Sequence, residues 1–346
     1  MKRSTLLFLA ASLSLGGAGP AQLVAPNQFL SLLDVMKRSG SSDSAIGLIE
    51  ANANVAPELQ AILGQTIRGI TYKLRIRKTL GVGAFRNANE GVATSKNTYA
   101  EGIAECFLYD AQMIADKAVA DADDRGAAVL LAEEAQGVTR GSLLELGKQV
   151  YYGTAADARG FLGLKQMTAA AMKINKAGAI ASKQTSVVLA YVAPDGVGFR
   201  FGNNGQVIMP DSWTLQQITA PLTGSTTGQL GRMTAWTNGM TAWIGMQMAV
   251  DTQVGYIANV DSTSLVTDSD ISDLISKFPL LYRPNRIFMT PTAVSFLQRT
   301  RQTNGNGVVT VGPGNAGMQV PRPTESNGIP ITETNSISDT EAVEAF

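Results

Sequence analysis

Histidine is missing altogether from this 346-residue chain, and cysteine occurs once, at Cys106. Without an imidazole, Ser-His-Asp and Cys-His catalysis, His-ligated zinc or iron and most acid/base chemistry tuned to neutral pH are excluded. A lone cysteine excludes an intrachain disulfide, and its setting, Glu105-Cys106-Phe107-Leu108-Tyr109, reads as a buried inert thiol instead of a nucleophile. Charge is scarce as well: 16% of residues are charged against 45% hydrophobic, and 28 acids balance 28 Lys and Arg. A neutral chain lacks the positive excess of a dedicated nucleic-acid binder, so any contact with DNA is local and weak. The same composition excludes a disordered chain and points to a surface largely covered by other subunits. The length suffices for two or three domain-sized units with a substantial core.

Chemical motifs are equally sparse. Glu133 and Glu134 are adjacent on a predicted helix and point in different directions, as solvated or interface charges do. Gly312-Pro313-Gly314-Asn315-Ala316-Gly317 matches the dinucleotide-binding spacing in letters but leads into Met-Gln-Val-Pro-Arg-Pro instead of a helix, so it reads as a loop. Walker A, zinc-ligand and calcium-loop patterns are absent from the sequence. No catalytic residue, metal ligand or cofactor is assigned.

At the amino terminus, Lys2 and Arg3 precede an apolar run over residues 6–15, and Gly19-Pro20-Ala21 offers small residues for cleavage, which fits a secretory signal peptide. The run is too short to span a bilayer. The reading adopted here is an extended arm lying on neighbouring subunits.

The strongest local pattern covers residues 70–78, Ile-Thr-Tyr-Lys-Leu-Arg-Ile-Arg-Lys. Its strict alternation places Ile70, Tyr72, Leu74 and Ile76 on one face and cations on the other, an amphipathic strand with a basic side. A polar, glycine-containing tip over residues 81–95 and a return strand over 98–109 make a hairpin of roughly 40 residues, longer than a compact domain needs. A short arm helix is expected over 27–37. A long helix is expected over 125–152, with Gly137 and Gly141 as candidate interruptions, and a second helix over 167–183. β structure follows: a buried strand at 186–192, strands at 196–201 and 206–209 flanking Asn203-Asn204-Gly205, and a long alternation over 241–260 with Ile244, Met246, Met248 and Val250 facing one way. Helices over 269–278 and 291–300 bracket a strand at 286–289, and a segment Ile329-Pro330-Ile331 comes last. The class is α+β, with sheets and helices in separate blocks.

Charge is divided unevenly along the chain. Residues 60–100 carry seven cations (Arg68, Lys73, Arg75, Arg77, Lys78, Arg86, Lys96) against Glu90, net +6. Residues 101–145 carry ten acids, among them Asp121, Asp123, Asp124, Glu133 and Glu134, against Lys117, Arg125 and Arg140, net −7. Such blocks could neutralise each other within one subunit, but a protruding hairpin can equally place its cations over the acidic region of the next copy, giving orientation and register. The candidate contact residues are Arg68, Lys73, Arg75, Arg77, Lys78 and Arg86 on one side and Asp121, Asp123, Asp124, Glu133 and Glu134 on the other. Each exposed pair is worth only about 0–1 kcal/mol, and a shell multiplies them.

This order of elements resembles the major capsid proteins of tailed bacteriophages, whose coat fold is shared with herpesviruses. Residues 241–261, ending Tyr256-Ile257-Ala258-Asn259-Val260-Asp261, are similar to a strand of that family that runs into Ile-Ala-Asn-Ile-Asp. Residues 286–297 resemble its strand-to-helix turn, and Gly328-Ile329-Pro330-Ile331 its late Gly-Ile-Pro-Ile strand. The likeness covers roughly residues 28–335 in element order. It implies an N-terminal arm (1–60), an E-loop hairpin (61–110) and a peripheral domain with a spine helix (111–185). A first axial part (186–225), long strands returning to the peripheral domain (226–262) and a second axial part with the C-terminal segment (263–346) would follow. It further implies self-assembly as hexamers and pentamers into an icosahedral shell enclosing double-stranded DNA, assembled in the host cytoplasm. Portal, scaffolding and decoration proteins would be partners, with no membrane. Lys96-Asn97 resembles the pair that crosslinks some capsids covalently, and is taken as coincidence. Asn203–Gly205 and residues 304–307 would be loops at the axial tip, with Trp213, Trp236 and Trp243 as core or interface anchors. The main rival is a secreted or periplasmic β-rich binding protein with a cleaved signal peptide; a carboxylate-based hydrolase comes third.

Overall fold

A computed structural model describes residues 53–208, 212–221, 230–303 and 320–346. Most of the expected arm, its helix at 27–37, the signal-like segment and the glycine-rich run at 312–317 lie outside the described residues. The elements, in order, are α1 (Glu58–Ala61), β1 (Gly64–Thr66), β2 (Thr71–Thr79), β3 (Thr98–Glu105), β4 (Phe107–Asp116), α2 (Lys117–Asp121), α3 (Ala127–Tyr152), α4 (Leu164–Met167), β5 (Lys173–Asn175) and β6 (Thr185–Ala190). Then come β7 (Gly198–Phe201), β8 (Val207–Ile208), β9 (Thr214–Pro221), β10 (Leu230–Gln247), β11 (Val254–Val260), α5 (Asp268–Lys277), β12 (Arg286–Met289), α6 (Pro291–Thr303), β13 (Glu325–Ser326) and β14 (Ile329–Glu333).

One sheet is built on β10. Along one edge it pairs antiparallel with β4, from Ala235 opposite Asp116 to Ile244 opposite Phe107; along the other it takes β9, β8 and β7 in turn, and β7 pairs in parallel with β1. The second sheet runs β13-β14-β12-β6-β11-β5. Every residue of β6 and β11 is buried, as happens when both faces of a strand are covered. Val188, Ala190, Tyr256 and Phe288 pack into a core with Leu143, Leu146 and Val150 of α3, while Val187, Leu189, Ile257 and Ile287 pack with Leu274 of α5 and Leu297 of α6. Strand alternation therefore divides one sheet between two cores.

The 26-residue helix α3 is continuous, about 39 Å long at 1.5 Å per residue. Gly137 and Gly141 do not interrupt it, because both lie on the solvent side with open space where a side chain would point. Its buried stripe includes Leu131, Ala135, Leu143, Leu146 and Val150, spaced three, four or a multiple of these residues apart as one helical face requires. Helix α3 ends at Gly153, whose φ of 56° suits glycine.

Three expectations are corrected. The helix at 167–183 does not form: after α4 and one 3-10 turn at Ala170–Met172 the chain enters β5, which pairs in parallel with β11. The open edge of β11 and the burial of Met172 in the second core outweigh the helical propensity of the Ala-rich stretch. The alternation over 241–260 is two strands in different sheets, split at a turn where the Gln253 side chain accepts from the backbone of Ala249 and Val250. The return strand likewise divides at Cys106, with β3 staying in the hairpin and β4 joining β10.

Candidate inter-subunit surfaces

The hairpin of β2 and β3 forms a two-stranded sheet of its own. Over residues 71–75 its pattern follows the alternation: Tyr72 and Leu74 are half-buried, Lys73 and Arg75 exposed; Ile70, ahead of the strand, departs from it by being exposed. In register, Lys73 lies opposite Ile103 and Arg75 opposite Glu101. Arg68, Lys73 and Arg75 make no ion pair within the subunit among the described residues. Arg77 and Lys78 lie on the same strand, at its outer end.

At its root the hairpin is fixed to the first sheet. Cys106 N–H donates to the Ile70 carbonyl at 2.8 Å, and the backbone N–H groups of Asn203 and Asn204 donate to the Gly69 and Ile67 carbonyls. The Asn203–Gly205 turn, with all three residues in the left-handed region, braces the hairpin root through these bonds. Beneath Tyr72 lies Arg200 of β7, 1% exposed, its guanidinium carbon 4.7 Å from the ring centroid. The guanidinium donates to the carbonyls of Phe199 and Pro194, and burial depresses its pKa. The Cys106 thiol donates to the Arg200 carbonyl at 3.3 Å, and burial pushes its pKa up to about 11, which makes it the inert thiol expected.

From the root outward, residues 80–97 form the tip. Gly81 and Val82 N–H groups donate to Asn97 Oδ1 and Ser95 Oγ, both at 2.8 Å, and Arg86 Nη1 donates to the Glu90 carbonyl at 2.9 Å. Asn97 is thus engaged in shaping the tip. Contrary to a purely polar tip, Leu80, Val82 and Phe85 are exposed, Phe85 completely.

The acidic block lies at the other end of β4. Asp116 caps α2 through Ala118 N–H at 2.9 Å, and Lys117 pairs with Asp121. Arg125 bridges Asp123 at 3.1 Å and Glu133 at 2.6 Å, and its hydrogen bonds hold both carboxyls below the usual range. Asp124 and Glu134 are exposed and enter no ion pair among the described residues. Ten residues of extended β4 separate the hairpin root from this region, about 30 Å at roughly 3.4 Å per residue. The candidate acids of α2 and α3 form no ion pair with the hairpin cations among the described residues, although Glu101 of the acidic block lies opposite Arg75 on the hairpin itself.

Trp213, Trp236 and Trp243 are half-buried, Trp213 against the first core. Two clusters escaped the sequence reading. Glu58, fully buried, accepts from Thr334 Oγ1 at 2.6 Å and from Ser336 Oγ. Lys165 donates to both oxygens of Glu341 at 3.1 Å, and Tyr256 donates to Glu344. Both tie the C-terminal segment to the body, and neither pairing is visible in residues 276 or 176 positions apart.

The charged hairpin is thus a sheet of its own, joined through β4 to the acidic start of α3. The family model for major capsid protein GP7 matches residues 43–344, and the chain belongs to that family. Among solved structures, the fold is similar to that of bacteriophage Epsilon15, with 19% identity and a TM-score of 0.57 over 82% of this chain and 88% of that one. Weaker likenesses are to Mycobacterium phage Adephagia (14% identity, TM-score 0.42, covering 57% and 88%) and to the procapsid of bacteriophage JBD30 (9%, 0.39, covering 85% and 96%). Comparison with curated proteins gives no match. The protein is a major capsid protein, the coat subunit of an icosahedral phage shell located in the virion, and is structural, not enzymatic. The secreted binding-protein reading finds no support in these matches.

Proposed function

We propose that the coat subunits assemble through an electrostatic hairpin contact, in which the basic face of one hairpin lies over the acidic end of a neighbour's spine helix α3. Arg68, Lys73, Arg75, Arg77, Lys78 and Arg86 form the donor surface, and Asp121, Asp123, Asp124, Glu133 and Glu134 the acceptor. The observation carrying this reading is that Lys73 and Arg75 are exposed without an ion partner among the described residues, about 30 Å from the acidic cluster. Within the acceptor, Asp124 and Glu134 are open, whereas Asp121, Asp123 and Glu133 offer charge already shared with Lys117 and Arg125.

The repeated contact would build hexamers and pentamers, and the shell would enclose double-stranded DNA held only by weak non-specific contact. Portal, scaffolding and decoration proteins are proposed partners, with assembly in the host cytoplasm. The division into arm (1–60), hairpin (61–110), peripheral (111–185) and axial parts (186–225, 263–346) belongs to the same proposal. Segment 226–262 fits a crossover, since β10 lies in one sheet and β11 in the other.

Reversing Lys73, Arg75 and Arg77 to Glu tests the contact. The expected result is a subunit with a native circular dichroism spectrum that forms no regular shells by negative-stain electron microscopy. Normal shells from this variant would remove the electrostatic contact.

A further inference from the structure

Beside the acidic cluster lies a shallow, wide-open apolar hollow of about 460 Å³, lined by Ala118, Val119, Ala122, Asp123 and Leu130, where α2 meets the start of α3. Val119 on its wall is an apolar side chain 58% exposed. On the hairpin tip, Phe85 stands fully exposed, and the tip backbone is already fixed by the Ser95, Asn97 and Glu90 hydrogen bonds. A pre-shaped loop presenting an aromatic ring to water is costly alone and favourable once the ring is covered.

We propose that Phe85 of one subunit seats in the α2–α3 hollow of a second copy of this chain. The inference rests on the hairpin contact proposed above and deepens it, assigning the apolar anchor that the charges surround. Charge favours this occupant. The tip, residues 80–97, has Arg86 and Lys96 against Glu90, net +1, while residues 117–134 have Lys117 and Arg125 against Asp121, Asp123, Asp124, Glu133 and Glu134, net −3. Position favours a second copy over self-insertion. The hairpin strand β2 adds nine residues to the ten of β4, so roughly 60 Å of extended chain runs between knob and hollow. A knob at one end and a hole at the other make a head-to-tail contact, which closes into rings when the rotation between copies closes. An apolar centre with a charged surround is also how protein interfaces concentrate their binding energy.

The test is photo-crosslinking. p-Benzoylphenylalanine is placed at position 85, particles are assembled and irradiated, and linked peptides are mapped by mass spectrometry. Links from position 85 to residues 118–130 of another subunit are expected. Links only elsewhere would overturn the anchor; the charge contact would still stand if the Lys73, Arg75 and Arg77 reversal blocks assembly. Phe85→Ala provides a second readout that does not depend on folding, because the side chain is exposed. It should weaken subunit association about tenfold or more, with Phe85→Leu intermediate. Association of Phe85→Ala indistinguishable from the parent would overturn the proposal.

Discussion

Glu58 is a carboxylic acid enclosed by neutral partners, Thr334, Ser336 and Tyr151, and burial raises its pKa above 4.5 although the two hydroxyl hydrogen bonds oppose the shift. The folded state therefore binds the proton more tightly than the unfolded chain. This contribution to stability is fully present below 4.5 and is lost as pH rises through the folded pKa. Glu58→Gln should flatten that part of the pH profile and leave the fold intact, because hydroxyls can rotate to serve an amide. Urea midpoints of the unassembled subunit across acidic to neutral pH would check it; an unchanged slope would refute the assignment. Nothing in the sequence around Glu58 marked it, since its partners lie 276 and 278 residues away. Cys106, by contrast, was legible as an inert thiol because its apolar neighbours are adjacent in the chain.

Helix α3 contains glycines with opposite structural roles. A methyl group at Gly147 would collide with Glu58 and Ser336, whereas one at Gly137 meets nothing within 4 Å. Gly147→Ala should cost about 1–3 kcal/mol by overpacking, and Gly137→Ala should gain about 0.5–1 kcal/mol from helix propensity and chain entropy. Denaturant unfolding of both variants tests the contrast. The hairpin offers another element-scale test. Removing the ring over Arg200 with Tyr72→Leu forfeits a cation–π contact of about 0.5–2 kcal/mol, so amide exchange at Cys106 should quicken while β6 and β11 stay protected. Helix and hairpin were both legible from periodicity and glycine content. The helix predicted at 167–183 was wrong because the edge of β11 was not visible from that stretch's own composition.

Across the whole molecule, the opposed charge blocks predict salt-sensitive assembly. Solvent-exposed attractions fade as the Debye length shrinks to about 3 Å at 1 M salt, while burial of Phe85 persists. Light scattering of subunits should show assembly slowing as salt rises, and Asp124→Lys with Glu134→Lys should restore part of the assembly lost on reversing Lys73, Arg75 and Arg77. No rescue would separate these residues as partners. The charge split was readable in the sequence because it is a property of contiguous segments. That the hairpin cations and the α2–α3 acids stand at opposite ends of β4 was not.

The sequence by itself determined the alternation of the basic strand, the long helix, the absence of imidazole chemistry and the segregation of charge. Each of these is a pattern repeating over two to four residues or a local count. Only the tertiary structure decided that β10 and β11 part into different sheets, that Arg200 is buried beneath Tyr72, and that Glu58 meets the C-terminal segment. Those outcomes depend on which distant strand edges and side chains become neighbours, and pairings across a hundred or more residues leave no periodic mark in the chain.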